Sequence, residues 1–298
     1  MDVVDMGVAD MDIAAIDRLI ILSLEEDVVA HDLTAKATIA VDQAGHAMIT
    51  AKGDGVVSGI AVAERVFAAV DARIEQTWLR QDGDAVCKGD LLARLSGPLR
   101  SLLSAERTAL NFMQHLSGIA TATRAFVASI AGTDCQIVDT RKTTPGLRHL
   151  EKQAVRHGGG INHRMDLAAG MLIKENHIAA AGSIAAAIRA CRRLQRDTAI
   201  AQHTAAWVEV ECETLAEVRE AVAAEPDIIL LDNMTPDQVR AARALVPAAM
   251  VLEASGNISL ANARSYAETG VHRLAIGAIT HSAAALDISM RVASDEDI

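Results

Sequence analysis

Residues 207–257 read WVEVECETLAEVREAVAAEPDIILLDNMTPDQVRAARALVPAAMVLEASGN, and the alternation inside this stretch decides the fold. Three short apolar runs, Trp207–Cys212, Asp227–Asp232 and Met250–Ser255, each close on a polar or charged residue. Thr214–Ala224 and Thr235–Leu245 lie between them with apolar residues at helical spacing. Working outward, further runs fall at Gln136–Asp139, Met171–Lys174 and Arg273–Gly277, with helical stretches at Ser183–Gln195 and Ser259–Thr269. Ser183, Thr214, Thr235 and Ser259 suit N-cap positions, and Pro236 suits a first helical turn. Strand and helix alternating at this spacing predict a parallel sheet with right-handed crossovers. Six such strands plus possible extras favour a closed barrel over an open sheet, although periodicity alone does not separate the two.

The first part of the chain has a different texture. Asp12–Glu25 and Ala61–Val70 read as helices, Arg73–Leu79 alternates like a strand, and Ala47–Ile60 reads as strands broken by Gly53, Gly55 and Gly59. That order predicts an α+β sandwich. The chain has 298 residues, enough for one large domain or two ordinary ones. Apolar residues make up 51% but aromatics only 2%, and alanine supplies much of the apolar content, which permits close helix–strand contact. Cys87, Cys135, Cys191 and Cys212 have no paired spacing and read as the reduced thiols of a cytoplasmic protein. No secretory signal is evident at the start, and Leu19–Leu22 is far too short an aliphatic run to span a bilayer.

Where strands end and helices begin, a βα fold places its ligands. Those positions hold Arg141, Lys142, Lys174, Glu211, Asp232, Ser255-Gly256-Asn257 and Gly277. Cations neutralise phosphate or carboxylate oxygens, and two acids on adjacent strand ends can hold a hydrated Mg²⁺. Small residues before a helix let backbone N–H groups approach a phosphate. The stretch Arg141–Arg164 (RKTTPGLRHLEKQAVRHGGGINHR) concentrates six Arg/Lys against one acid, Glu151, in a chain of net charge −11. Its charges do not keep helical spacing and glycines interrupt them, which points to a pocket for a small polyanion rather than a solvated helix face. Acidic balance and few aromatics disfavour nucleic acid.

Taken singly, each position has a plainer explanation. A strand-end acid often caps a helix, Lys174 could be a Schiff-base nucleophile, and His163 could be a hydrogen-bonded structural residue. Gly53–Gly59 departs from dinucleotide-loop spacing. Asp82–Leu92 is similar to the hammerhead turn of biotinyl or lipoyl carrier domains but has no lysine in the expected hairpin context.

Eight ordered fragments carry a resemblance to the quinolinate phosphoribosyltransferases over nearly the whole chain. They are EDVVAHDLT (Glu26–Thr34), SAERTALNFMQHLSGIAT, DTRKTTPGLRHLEKQAVRHGGGINHR, LIKENHI, VEVE, ILLDNM, EASGN and AIGAITHS. The resemblance implies an α/β protein with an N-terminal open α/β sandwich over residues 1–114. An incomplete α/β barrel of about seven strands would follow over 115–298. It implies transfer of phosphoribosyl from phosphoribosyl pyrophosphate to quinolinate with decarboxylation, giving nicotinate mononucleotide for NAD biosynthesis. It also implies Mg²⁺ and a homodimer or larger assembly with shared sites.

Residue by residue, the resemblance implies that Arg107 reaches across an interface to a quinolinate carboxylate, while Arg141, His163 and Arg164 complete the clamp. Thr140 stands beside them. Lys142 and Lys174 would face the phosphoribosyl group, Glu211 and Asp232 the ribose and the metal. Ser255, Gly256, Asn257, Ile276, Gly277 and Ala278 would hold the 5′-phosphate. Glu175, Asn257 and His272 depart from the pattern. A molybdenum-transport relative of the same fold, a nicotinate-specific transferase and a non-catalytic phosphoribosyl-binding regulator are the alternatives, and the intact Lys142, Lys174, Glu211 and Asp232 favour chemistry.

Overall fold

The computed structural model describes residues 13–196 and 207–293. The start of the chain, with its expected lack of a leader and the Asp12 end of the first helix, lies outside them. The chain divides into two compact units.

One unit takes 13–124, Thr144–Gly159 and 282–293 of the described residues. Its helices are α1 (Ile13–Glu26), α2 (Leu33–Thr38), α3 (Ile60–Val70), α4 (Leu99–Ser129, up to Arg124) and α5 (Arg148–His157). Its strands are β1 (Ala44–Ala51), β2 (Gly55–Val56), β3 (Glu75–Trp78), β4 (Ala85–Val86) and β5 (Leu91–Pro98), with β12 (Ile288–Val292) added from the far end of the chain. β12, β1, β5 and β3 form an antiparallel sheet in that order. Alternation on β1 buries Ala47, Ile49 and Ala51, as a sheet with one covered face requires. On α3, Ala63, Val66 and Phe67 are fully buried. Gly59, at φ 96°, starts α3, and a Cβ there would stand 2.9 Å from Leu116 Cδ1. No larger residue fits that approach.

The other unit holds Ala125–Thr143 and Gly160–His281. It contains β6 (Gln136–Val138), β7 (Met171–Ile173), β8 (Val208–Cys212), β9 (Ile228–Asp232), β10 (Val251–Ser255) and β11 (Arg273–Ala275). These are the six runs read from the sequence, paired in parallel in the order β6-β11-β10-β9-β8-β7. A single bridge from Val138 to Ile161 adds a one-residue seventh member beside β6. Helices α6 (Glu175–Ala181), α7 (Ile184–Gln195), α8 (Leu215–Ala224) and α9 (Pro236–Leu245) follow their strands, then α10 (Ala263–Ala267) and α11 (Ala278–His281). Ser183, Thr214 and Thr235 cap α7, α8 and α9 with their side chains, as their positions predict.

Two expectations need correction. The helix expected from Ser259 begins only at Ala263, because Asn262 Oδ1 takes the Ser259 N–H at 2.7 Å and closes a local turn first. The basic stretch is not one irregular segment. Its middle, Arg148–His157, is α5, which buries Leu150, Glu151, Ala154 and Val155 at helical spacing. Glu151 can be buried because His115 Nε2 meets it at 2.8 Å and the Thr144 N–H donates to it at 3.2 Å. α4, 31 residues long, and β12 were not legible as elements in the sequence.

Candidate active site at the strand ends

Period-two alternation puts Glu209 and Glu211 of β8 on one face of the parallel sheet. Parallel register aligns Glu211 with Leu230, Leu230 with Glu253, and Glu253 with Arg273. The face therefore carries charge at two depths. Glu209, Glu253 and Arg273 lie within the strands, fully buried, while Lys174 and Asp232 stand at strand ends with Glu211 just beneath.

At the outer depth, Lys174 Nζ pairs with Glu211 Oε2. The Lys174 backbone N–H is held by His177 Nδ1 at 3.0 Å, which fixes where the lysine leaves β7. Burial pushes the Glu211 carboxyl up; Lys174 opposes that shift, while Asp232 and Glu175 add to it. Glu211, Lys174, Asp232 and Glu175 thus share one electrostatic neighbourhood. Asn233 Nδ2 donates to Asp232 Oδ2 at 2.6 Å, and Asn257 Nδ2 donates to Asn233 Oδ1 at 3.1 Å. Asn257 has φ 54°, the left-handed turn for which asparagine and glycine are both suited. Gly256, at φ 87°, lets Asn233 approach: a Cβ there would stand 2.2 Å from Asn233 Oδ1.

Arg141 and Arg164 form the cationic side. Burial lowers the Arg164 guanidinium from its ordinary value, and the charge of Arg141 nearby lowers it further. Arg164 Nη1 donates to Gly170 O at 2.8 Å, spanning from the Ile161 bridge to the start of β7. Arg141 Nε and Arg164 Nε are buried donors without a hydrogen-bond partner among the described residues. Thr140 Oγ1 accepts the Lys142 N–H at 3.0 Å, and Lys142 O accepts from Thr280 Oγ1 at 2.8 Å. The Lys142 stem lies against Gly277, whose Cβ would stand 3.0 Å from Lys142 Cδ. Ser255, Gly256, Gly277 and Ala278 remain partly or fully exposed, whereas Ile276 is buried and its N–H is bonded to Val138 O at 2.9 Å.

His163 is placed deeper than its expected partners. Its Nε2 lies 3.0 Å from Glu209 Oε2, its Nδ1 accepts the Arg164 N–H at 2.8 Å, and its ring meets Trp207 edge-on at 5.4 Å. Glu253 stands 3.7 Å away and Arg273 reaches Glu253 at 3.9 Å. Burial, then the charge of Glu209, push the Glu253 carboxyl up to about 7. Sequence reading passed over Glu209, Glu253 and Arg273, although charged residues alternating inside apolar strands signal an inward polar layer. His163, Glu209 and Glu253 approach each other as three metal ligands would. Because the Arg164 amide can only donate, Nδ1 accepts and Nε2 carries the proton. With that proton pointing at Glu209, and Arg273 beside Glu253, the triad does not suit a cation. Asp232 and Glu211 offer the hard oxygen donors that Mg²⁺ takes.

Arg107 belongs to the other unit, on α4, largely exposed and 3.7 Å from Glu106. It lines a cavity of about 330 Å³ together with Thr108, Asn111, His115 and Asp27. His272 accepts the Leu252 N–H on Nδ1 at 2.9 Å, and burial lowers its pKa, which favours the neutral acceptor.

Two family models match the chain. The model of the quinolinate phosphoribosyl transferase C-terminal domain matches residues 119–291, and that of the N-terminal domain matches 32–117. A probable nicotinate-nucleotide pyrophosphorylase [carboxylating] of Bacillus subtilis is 45% identical over 267 residues, 90% of each chain. Among solved structures, NadC from Streptococcus pyogenes superposes with a TM-score of 0.89 at 39% identity, covering 96% of this chain and all of that one. The nicotinate-nucleotide pyrophosphorylase from Francisella tularensis gives 0.89 at 37%, covering 98% of this chain and 100% of that one.

Proposed function

The chain belongs to the quinolinate phosphoribosyltransferase family, and we propose that its strand ends join quinolinate to phosphoribosyl pyrophosphate. The products are nicotinate mononucleotide, pyrophosphate and CO₂, and the reaction is a pentosyl transfer of de novo NAD biosynthesis. One observation carries this reading. Arg141 and Arg164 stand close enough to repel, and each keeps a buried Nε donor without an acceptor among the described residues. Two adjacent guanidinium groups so arranged match a pyridine dicarboxylate, whose oxygens satisfy both donors and relieve the repulsion.

The pyridine nitrogen attacks C1 of the ribose and the bond to the pyrophosphate oxygen breaks, so positive charge grows on the ribose in the transition state. Glu211 and Asp232 are the carboxylates placed to offset that charge. Lys142 and Lys174 bind the phosphate oxygens, and the turns at Ser255–Asn257 and Gly277–Ala278 take the 5′-phosphate. Asp232 and Glu211 would hold Mg²⁺, which when bound neutralises pyrophosphate charge. Once alkylated, the positively charged ring nitrogen stabilises the electron pair that departing CO₂ leaves on the adjacent ring carbon, and that carbon then takes a proton. His163 supports the clamp from beneath rather than touching the acid.

A second copy of the chain completes the site. Arg107 is largely exposed and its one ion pair among the described residues is a long contact to Glu106, and α1 with the segment after it exposes Ile21, Leu22, Val28 and Leu33, an apolar surface suited to a homodimer. All four cysteines are free, as a reducing cytoplasm would keep them, and no helix among the described residues is long and apolar enough to cross a membrane. The test is incubation with quinolinate, phosphoribosyl pyrophosphate and Mg²⁺, with nicotinate in a parallel reaction. Nicotinate mononucleotide and CO₂ from quinolinate alone are expected; product from nicotinate at the same rate would overturn the reading.

A further inference from the structure

We infer that Glu209 is a positioning residue for the acid clamp: its buried carboxylate fixes His163 in the tautomer that holds the Arg164 backbone in place. The inference rests on the function proposed above for the clamp, but the geometry beneath it stands separately. Asp139 Oδ1 accepts the His163 N–H at 2.8 Å and Asp139 Oδ2 accepts from Asn162 Nδ2 at 2.6 Å, which ties this segment to the end of β6. His163 then turns its ring inward. Nδ1 takes the Arg164 N–H at 2.8 Å, and Nε2 faces Glu209 Oε2 at 3.0 Å. Trp207 closes another side of the ring.

The logic runs through proton positions. A backbone amide can only donate, so Nδ1 must offer a lone pair. The remaining nitrogen must then carry the hydrogen, and a buried N–H needs an acceptor. Glu209, fully buried, supplies it. Without Glu209, the nearby Glu253 carboxyl at 3.7 Å is beyond hydrogen-bond length in this geometry, so the opposite tautomer or a rotated ring becomes competitive, and either one turns a hydrogen against the Arg164 amide. The guanidinium would lose its station beside Arg141, although nothing touching quinolinate had been altered. Glu209 and Glu211 lie two residues apart on β8, so one strand supports both the acid clamp and the Lys174 pair.

The experiment has two arms. In ¹⁵N-labelled parent protein, long-range proton–nitrogen correlation of His163 should show a protonated Nε2 and an unprotonated Nδ1 at neutral pH. A protonated Nδ1 overturns the inference, whether or not any variant folds. In steady-state kinetics, Glu209→Leu, which removes the acceptor, should raise the KM for quinolinate about tenfold or more while the KM for phosphoribosyl pyrophosphate stays put. Glu209→Gln keeps an acceptor oxygen and should recover most of the quinolinate affinity. A Glu209→Leu enzyme with parental quinolinate KM, or a Gln variant as damaged as Leu, would contradict the proposal. Parent protein with the expected tautomer but no turnover of quinolinate would instead sink the functional reading and leave the Glu209–His163 assignment standing.

Discussion

Two layers of charge stand in the parallel-sheet unit, and they are built to opposite ends. In the inner layer, Glu209 is matched to His163, and Glu253 faces both His163 and Arg273. In the outer layer, two guanidinium groups stand close enough to repel, and each keeps a buried Nε donor without a partner among the described residues. Burying charge is costly unless it is paired, and both layers carry that cost, since Glu209 Oε1 and both Glu253 oxygens are also buried without a hydrogen-bond partner among the described residues. The difference is one of sign: the inner acids face His163 and Arg273, whereas the outer guanidinium groups face each other and so suit an anion.

The sharpest way to break this contrast is to remove an outer charge that acts on the reacting groups. Lys174→Ala should lower kcat by about 10²–10³-fold, as loss of one preorganised electrostatic contact does. It also strands Glu211 without its cation, and Asp232→Ala should reduce turnover in the same direction. Rate assays at saturating substrates check both. Next in size is the clamp. Arg164→Ala should raise the KM for quinolinate roughly 10–100-fold, the range for a lost charge-assisted hydrogen bond, with phosphoribosyl pyrophosphate affinity little changed. Arg107→Ala should weaken quinolinate similarly if a second copy supplies that residue, and unchanged affinity would remove Arg107 from the site.

The inner layer should answer in stability. The Glu253 carboxyl has its ordinary value of 4.5 raised to about 7 in the fold, so between those values the native state binds more protons than the unfolded chain. Its contribution is therefore complete below about pH 4.5 and is lost as pH rises through about 7. Glu253→Gln should flatten that decline and raise Tm above the parent's at pH 8, which melts at pH 5 and pH 8 would reveal. The smallest effect is chemical. Burial pushes the Cys135 and Cys212 thiols up to about 12, whereas Cys87 is exposed. Alkylation with peptide mapping should mark Cys87 and spare those two.

Much of the parallel unit was legible because its code is local. Short apolar runs separated mostly by helical stretches gave all six strands, and Ser183, Thr214 and Thr235 marked three helix starts. Arg141, Lys174, Glu211 and Asp232 were legible for the same reason, since strand ends are where such residues collect. What escaped depends on distant partners. β12 becomes a strand by pairing with β1 across most of the chain, and nothing near Ile288 signals that. The basic stretch read as irregular because Glu151 and Lys152 look like surface residues, yet both are buried, Glu151 against His115. His163 likewise looked like a ligand contact until Glu209, from another strand, was seen to engage its ring.

The most direct test of the two-layer account is calorimetric titration of quinolinate and of nicotinate into the same protein. Two guanidinium groups, each with a buried Nε donor left open among the described residues, should make the diacid bind at least tenfold more tightly than the monoacid, a gap of about 1.4 kcal/mol or more. Equal affinities would mean that Arg141 and Arg164 do not meet the second carboxylate, and the distinction between the layers would fail.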